Sequence, residues 1–580
     1  MVFIHGGGFL EGSGGSALYS TYFLVTKVPR KENNIILSES IYTPCVEHII
    51  EGVEPFLTDM PYNLLSKGEY NKVPIIIGYN NAEGLLFANM ETEETIPKIM
   101  LEKSLPKNLE IPHEKRIEID PGPEPTWQGV FDAIDENVRC LQDPRSGKVE
   151  GEKECLVLNI YTPMDATIGT KYPVMVFIHG GGFFEGSGSS ALYSTYFLVT
   201  KGVIVITMNY RLNIQGFGCL RIKEAPGNAG MKDQVAALRW IQRNIRVFGG
   251  DPNSVTIFGE SAGAASVSLH ILSPMSKGLF HKAIMQSGSS LASWTIQFKP
   301  VFMASLLTKV MGYSTMDTYE IYKILMAKSD EDLILTRVPR KENNVIVSEC
   351  LYSPCVEHII DGVEPFLTDM PYNLLSKGEY NKVPIIIGYN NAEGLLFANM
   401  ETEETIPKIM LEKSLPKNLE IPHEKRIEIA EKLMKFYVGN EKISLENLAN
   451  ISRFHGEAYF TVSILEETEL YLETNNHPVY SYLFSYDGRR NFLKKTLRKE
   501  LKDIPGATHA DDIFYLFNMP IVPSLFENEM IDRMTTMWTN FAKYGPIYKF
   551  IMSKFRPGDG NMKQISSTSV EAGTSELYIT

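Results

Sequence analysis

Phe248 to Gly263 reads FGGDPNSVTIFGESAG, and the order of residue types in it decides the fold. Val255 to Phe258 is a β-branched and aromatic run, which is strand composition. Gly259-Glu260-Ser261-Ala262-Gly263 follows with no spacer, and Ala264 to Ile271 is a small-residue segment compatible with a helix. Strand, sharp turn and helix in that order put Ser261 at the apex of a strained turn. Gly259 and Gly263 flank it because backbone closes in from both sides, where a Cβ would clash. A bare GxSxG is a weak signal, and the strand before it and the helix after it supply the context that gives it meaning. A serine hydroxyl is a poor nucleophile alone, so this reading requires a base, an acid to orient the base, and donors for an oxyanion.

Outward from the turn, strands and helices alternate. Upstream, Cys155 to Tyr161 alternates as a strand, while Val174 to Ile178 and Gly202 to Tyr210 are continuous apolar runs. Runs without alternation suit strands covered by helices on both faces. Asp233 to Phe248 puts Val235, Leu238, Ile241 and Ile245 on one face and its arginines elsewhere, which predicts an amphipathic crossover helix. Downstream, His281 to Gln286, Val383 to Tyr389 and Val479 to Tyr486 read as further strands, separated by helical stretches such as Ile429 to Tyr437. The pattern predicts an α/β fold, a large and mostly parallel central sheet with helices on both faces, and function at the carboxyl ends of its strands.

The base is sought among eleven histidines, because imidazole gains and loses a proton near neutrality. His509 stands apart: it lies in GATHADDIF, a loop downstream of the strand Val479 to Tyr486 and able to reach over the sheet. The orienting acid is expected between serine and histidine in chain order. Glu393, in GYNNAEG at the end of the strand Val383 to Tyr389, meets that condition, although it is one carboxylate among seventy acidic residues. For the oxyanion, backbone N–H groups free of side chains are needed. HGGGF at 179 to 183 directly follows a strand, offering Gly181 and Gly182, and Ala262 adds its N–H at the helix start. Cys140 and Cys155 enclose a short loop, and the spacing alone allows either a bridge or two unpaired thiols.

Taken together, FGGDPNSVTIFGESAG, HGGGF, GYNNAEG and GATHADD resemble the type-B carboxylesterase and cholinesterase family of α/β-hydrolases, most of all insect carboxylesterases, over about residues 120 to 546. The resemblance implies an α/β-hydrolase that cleaves carboxylic esters of small molecules through an acyl-enzyme, with no metal and no cofactor. Position by position, Ser261 resembles the nucleophile, Glu393 the triad acid, His509 the base, and Gly181, Gly182 and Ala262 the oxyanion donors. It further implies that Trp294 lines the acyl pocket and that Cys140 and Cys155 form a disulfide. A catalytically inactive cholinesterase-like binding or adhesion protein is the alternative class, and retention of all the triad positions argues against it. The family's opening strands before the first cysteine are missing, and Lys153-Glu154-Cys155-Leu156 stands where the family carries EDCL.

What replaces those opening strands is a copy. Met1 to Lys27 repeats Met175 to Lys201 apart from Leu10 for Phe184 and Gly15 for Ser189, and Val28 to Ile119 matches Val338 to Ile429, letter for letter from Gly52 onward. The splice skips the serine turn and the central strands, so residues 1–119 are not expected to close a core of their own. A defective product of a duplicated gene is the second alternative for the whole chain. Residues 120–546 are expected to form the hydrolase domain, and 547–580 a divergent, partly disordered tail. The net charge of -14 and pI near 5.4 argue against nucleic acid or anionic membrane as partners. No run of 18 apolar residues occurs, so no transmembrane helix is expected. The opening MVFIHGGGF carries no secretory signal, whereas the family resemblance favours secretion, leaving a cytoplasmic alternative.

Overall fold

The computed structural model describes residues 133–143, 146–338, 352–415, 421–519, 521–522 and 527–545, and the backbone of 575–579. The duplicated fragment 1–119 lies outside the described residues, as does most of the segment after 546. All described residues fall in the unit Arg116–Thr580.

An eight-stranded sheet forms the centre, in the order β1-β3-β2-β4-β5-β6-β7-β8. β1 (Leu158–Tyr161) runs antiparallel to β3 (Ile204–Met208). Every other pairing is parallel, through β2 (Tyr172–Ile178), β4 (Gly250–Glu260), β5 (Lys282–Gln286), β6 (Ile385–Asn390), β7 (Val479–Phe484) and β8 (Ser575–Ile579). The α/β reading therefore holds. The edge strand β8 lies in the stretch that sequence reads as tail; beside β7 its backbone finds the partners a tail would lack.

Successive residues of a strand point to opposite faces, and β2 shows the consequence. Val174, Val176 and Ile178 join one core with Met231, Val235, Leu238 and Ile241 of α1 (Ala229–Asn244) and Ala264, Ala265 and Val267 of α2 (Ala262–Leu272). Met175 and Phe177 join the other, with Phe258, Ile284, Met534, Trp538 and Phe541. Both faces are dry, which is why the strand sequences do not alternate. α1 begins before the expected Asp233, from Asn228 in a left-handed conformation, and its last expected turn, Ile245–Phe248, tightens into a 3-10 helix.

Past β6 the chain forms the short α3 (Gly394–Asn399), and before β7 it forms α4 (Val462–Thr474), entered through a π-helical turn at Glu457–Thr461. α5 (Asn528–Tyr544) supplies Met534, Trp538 and Phe541 to the second core. Glu467 of α4 is fully buried, and its carboxyl accepts from Ser268 and Ser289 hydroxyls, from Tyr471 Oη at 2.9 Å and from Ser290 N–H at 3.0 Å. These bonds lock α4 to α2 and to the turn after β5.

Disulfides join Cys140 to Cys155 and Cys219 to Cys355. The second was not expected from the sequence.

Candidate active site

β4 ends at Glu260, and the chain turns into α2 through Ser261 at φ 58° and ψ -123°. A non-glycine residue in such a region costs roughly 1–3 kcal/mol and persists only where its surroundings hold it. Here Ser261 N–H donates to Gln286 O of β5 at 2.9 Å. The flanking glycines are sterically required. A Cβ on Gly263 would lie 2.0 Å from Ile178 O, and one on Gly259 would lie 2.5 Å from the carbonyl carbon of Gly263. The turn can form only because the end of β2 and the first turn of α2 touch through bare backbone.

Glu393 and His509 come from the loops after β6 and β7. His509 is buried, and its loop is fixed by Thr508 N–H donating to Asp511 Oδ2 at 2.9 Å and by Leu396 N–H donating to Thr508 Oγ1 at 2.9 Å. His509 Nε2 lies 2.8 Å from Ser261 Oγ, and Nδ1 lies 2.6 Å from Glu393 Oε2. Glu393 Oε1 accepts from Asn390 N–H at 2.7 Å. The structure thus brings together three side chains that the sequence spreads over residues 261 to 509.

Gly181 and Gly182 adopt φ 101° and 60°, a turn that an L side chain resists. Tyr210 Oη donates to His179 O at 2.8 Å, and its ring stacks on the His179 ring at 4.4 Å, holding the start of the loop. A Cβ on Gly180 would meet Glu260 O at 2.8 Å and Ser261 Cβ at 3.1 Å, so the loop runs directly against the serine turn. No hydrogen bond among the described residues uses the N–H of Gly181, Gly182 or Ala262.

Trp294 is buried and donates from Nε1 to Tyr459 O at 2.9 Å. Its ring lies 5.8 Å from Phe460 and 6.3 Å from Phe183. Phe460 in turn sits 4.5 Å from the His509 ring, and Phe397 sits 5.1 Å from it. Sequence reasoning missed both phenylalanines. Phe397 had a usable signal, one helical turn past Glu393; Phe460 had none, since the π-helical turn sets which residue faces the histidine.

Glu260, the residue before the serine in the turn, places its Oε1 3.2 Å from His509 Nε2. Burial pushes its carboxyl well above the usual range, opposed by the nearby imidazole. Burial alone would lower His509, but the Glu260 and Glu393 carboxylates outweigh it and hold the imidazole above its ordinary 6.5. If His509 serves as a general base it must be neutral to accept a proton, and a raised imidazole pKa then moves the onset of activity upward. The ascending limb of kcat/KM is expected to have its midpoint above 6.5, and Glu260→Gln, which removes a carboxylate, should shift it down. A limb that Glu260→Gln leaves in place would show that this carboxyl does not act on the imidazole.

A serine-bearing turn between a parallel strand and a helix, with a carboxylate and a histidine delivered from later strands of the same sheet, defines an α/β-hydrolase. The chain belongs to the carboxylesterase family, whose model matches residues 118–574, and it is a carboxylic ester hydrolase. It is 34% identical over 452 residues to Esterase FE4 of Myzus persicae, covering 73% of this chain and 77% of that one. It is 33% identical over 446 residues to the juvenile hormone esterase of Heliothis virescens, covering 72% and 76%. Among solved structures, juvenile hormone esterase from Manduca sexta with OTFP covalently attached superposes with a TM-score of 0.64 at 32% identity, covering 73% of this chain and 82% of that one. Among the described residues, no helix is long and apolar enough to cross a membrane.

Proposed function

We propose that Ser261 is the nucleophile of this esterase, His509 its general base and Glu393 the acid that orients the imidazole. The N–H groups of Gly181, Gly182 and Ala262 receive the oxyanion, and the rings of Trp294, Phe183, Phe397 and Phe460 form the wall beside the acyl group. In the first half-reaction His509 Nε2 takes the Ser261 hydroxyl proton as Oγ bonds to the ester carbonyl carbon. The tetrahedral oxyanion collapses, the carbon–oxygen bond to the alcohol breaks, and the imidazolium gives its proton to the leaving alkoxide. Water then attacks the acyl-enzyme with the same proton traffic, and the carboxylic acid leaves. Glu393 orients the imidazole and stabilises the imidazolium.

The observation that carries this reading is the pair of contacts from one imidazole, 2.8 Å to Ser261 Oγ and 2.6 Å to Glu393 Oε2. The covalent OTFP adduct of the structural relative agrees with a site built to form a bond to its ligand. The test is a fluorophosphonate probe followed by peptide mapping. The expected adduct lies on Ser261, in the peptide containing GESAG, and labelling of a different residue would refute the assignment.

A further inference from the structure

The last residue of β6, Asn390, is buried and touches both the acid and the loop of the base. Its backbone N–H donates to Glu393 Oε1 at 2.7 Å, the carboxylate oxygen that does not face His509. Its side-chain Nδ2 donates to Thr508 O at 2.7 Å, the carbonyl of the residue before His509, and lies 3.3 Å from Asp512 Oδ1. We propose that Asn390 is a positioning residue for ester hydrolysis, a single amino acid that fixes Glu393 through its main chain and the His509 loop through its side chain. This rests on the assignment of Ser261, Glu393 and His509 above.

The physical need is clear from the topology. Glu393 and His509 are 116 residues apart on separate loops, so their mutual contact is only as rigid as those loops. The bonds Asn390 N–H to Glu393 Oε1, Glu393 Oε2 to His509 Nδ1, and Asn390 Nδ2 to Thr508 O close a ring. In a closed ring no partner can drift without breaking another bond. Catalytic groups misplaced by about 1 Å can lose a hundredfold in rate, so such a ring has a direct kinetic consequence.

The floor under the ring reaches the nucleophile. Asp512 accepts from Gln286 Nε2 at 2.7 Å and from Tyr482 Oη at 3.2 Å, and Gln286 O holds Ser261 N–H at 2.9 Å. Trp538 Nε1 of α5 donates to Gln286 Oε1 at 3.0 Å, anchoring the floor to the second core.

The residue type matters through the direction of its hydrogen bonds. Aspartate has the shape of asparagine but only accepts, so at 390 it would set a carboxylate against Thr508 O and Asp512. The titratable groups around it are Glu260 at the end of β4, Glu393 after β6, Tyr482 on β7, and His509, Asp511 and Asp512 on the following loop. An added negative charge among them favours protonated His509.

The test uses the full chain with Asn390→Leu and Asn390→Asp, each active site counted by fluorophosphonate titration. Rates are then expressed per titrated serine. Both variants are expected to lose about 10- to 100-fold in kcat with KM changed by less than about twofold. Asn390→Asp is further expected to move the ascending limb to higher pH, while Asn390→Leu does not move it upward. Unchanged kcat per titrated serine with an unchanged limb, whatever happens to thermal stability, would overturn the proposal; either variant alone suffices if the other does not fold. Failure of the wild-type chain to label on Ser261 would instead strike the assignment on which the proposal rests.

Discussion

Ser261→Ala is expected to cut kcat for a simple aryl ester by about 10^6-fold, leaving KM within a small factor of wild type. The size follows from what the hydroxyl does. In the proposed mechanism it forms the covalent bond of the acyl-enzyme, and the imidazole at 2.8 Å has no other proton to take at that point. A loss of that size is roughly 8 kcal/mol of transition-state stabilisation. What remains would come from the proposed oxyanion donors and from binding, because alanine leaves the backbone of the turn untouched. His509→Ala should cost about as much as Ser261→Ala, and the double variant scarcely more, since the two act as one unit. Glu393→Gln should cost less, about 10^4-fold, because it leaves both reacting groups present and disturbs the tautomer and orientation of the ring. Initial rates on purified variants decide the matter. Full activity in Ser261→Ala would move the chemistry to another residue.

The second large effect concerns stability. Cys219 and Cys355 close a loop with a sequence separation of 136, against 15 for Cys140 and Cys155. In the chain-entropy model the long loop is worth about 5 kcal/mol and the short one about 3 kcal/mol, through restriction of the unfolded chain. Natural domains are stable by only about 5–15 kcal/mol, so the Cys219→Ser, Cys355→Ser double variant should lose much of its margin. In the native state the two segments have other ties. Asn228 Nδ2 donates to Cys355 O at 2.8 Å and its Oδ1 accepts from Cys355 N–H at 2.8 Å, so the folded geometry should survive the loss of the bridge. The buried pair Lys232 and Glu357, at 2.6 Å, sits beside them. The expected signature is therefore a large fall in the urea midpoint with little change in native kcat. A fall of less than about 1 kcal/mol would mean that the unfolded chain gains little freedom from the cut.

Much of this was readable in the letters, for physical reasons. The continuous apolar run at Val174 to Ile178 announces a strand dry on both faces, and β2 is one. The glycines at 259 and 263 announce a turn too tight for Cβ atoms, and the clashes with Ile178 and with each other confirm why. Glu393 and His509, which meet at 2.6 Å, could be singled out together because a parallel sheet brings loops at the same strand ends to one place. Other features leave no local trace. The Cys219 to Cys355 bond joins two cysteines with no spacing motif, and tertiary contacts such as Asn228 to Cys355 and Lys232 to Glu357 bring their segments together. Asn390 looks like any polar residue ending a strand; its importance lies in which atoms surround it. Glu260 was visible as a letter of the motif, but its effect on His509 depends on burial and a 3.2 Å separation that no pattern encodes.

The wide turn at Glu457–Thr461 fits one residue more into each hydrogen-bonded loop than an α-helix does. Each residue of a helix advances the direction of its side chains by about 100°. The surplus therefore sets which letter of the turn looks toward the imidazole, as Phe460 does, and which letters of α4 behind it look toward the buried serines, as Glu467 does. Two chains could agree at every neighbouring position and still present different walls to an ester if one lacked that surplus. At this place the length of the chain, more than the identity of any residue, chooses which ring the His509 imidazole meets.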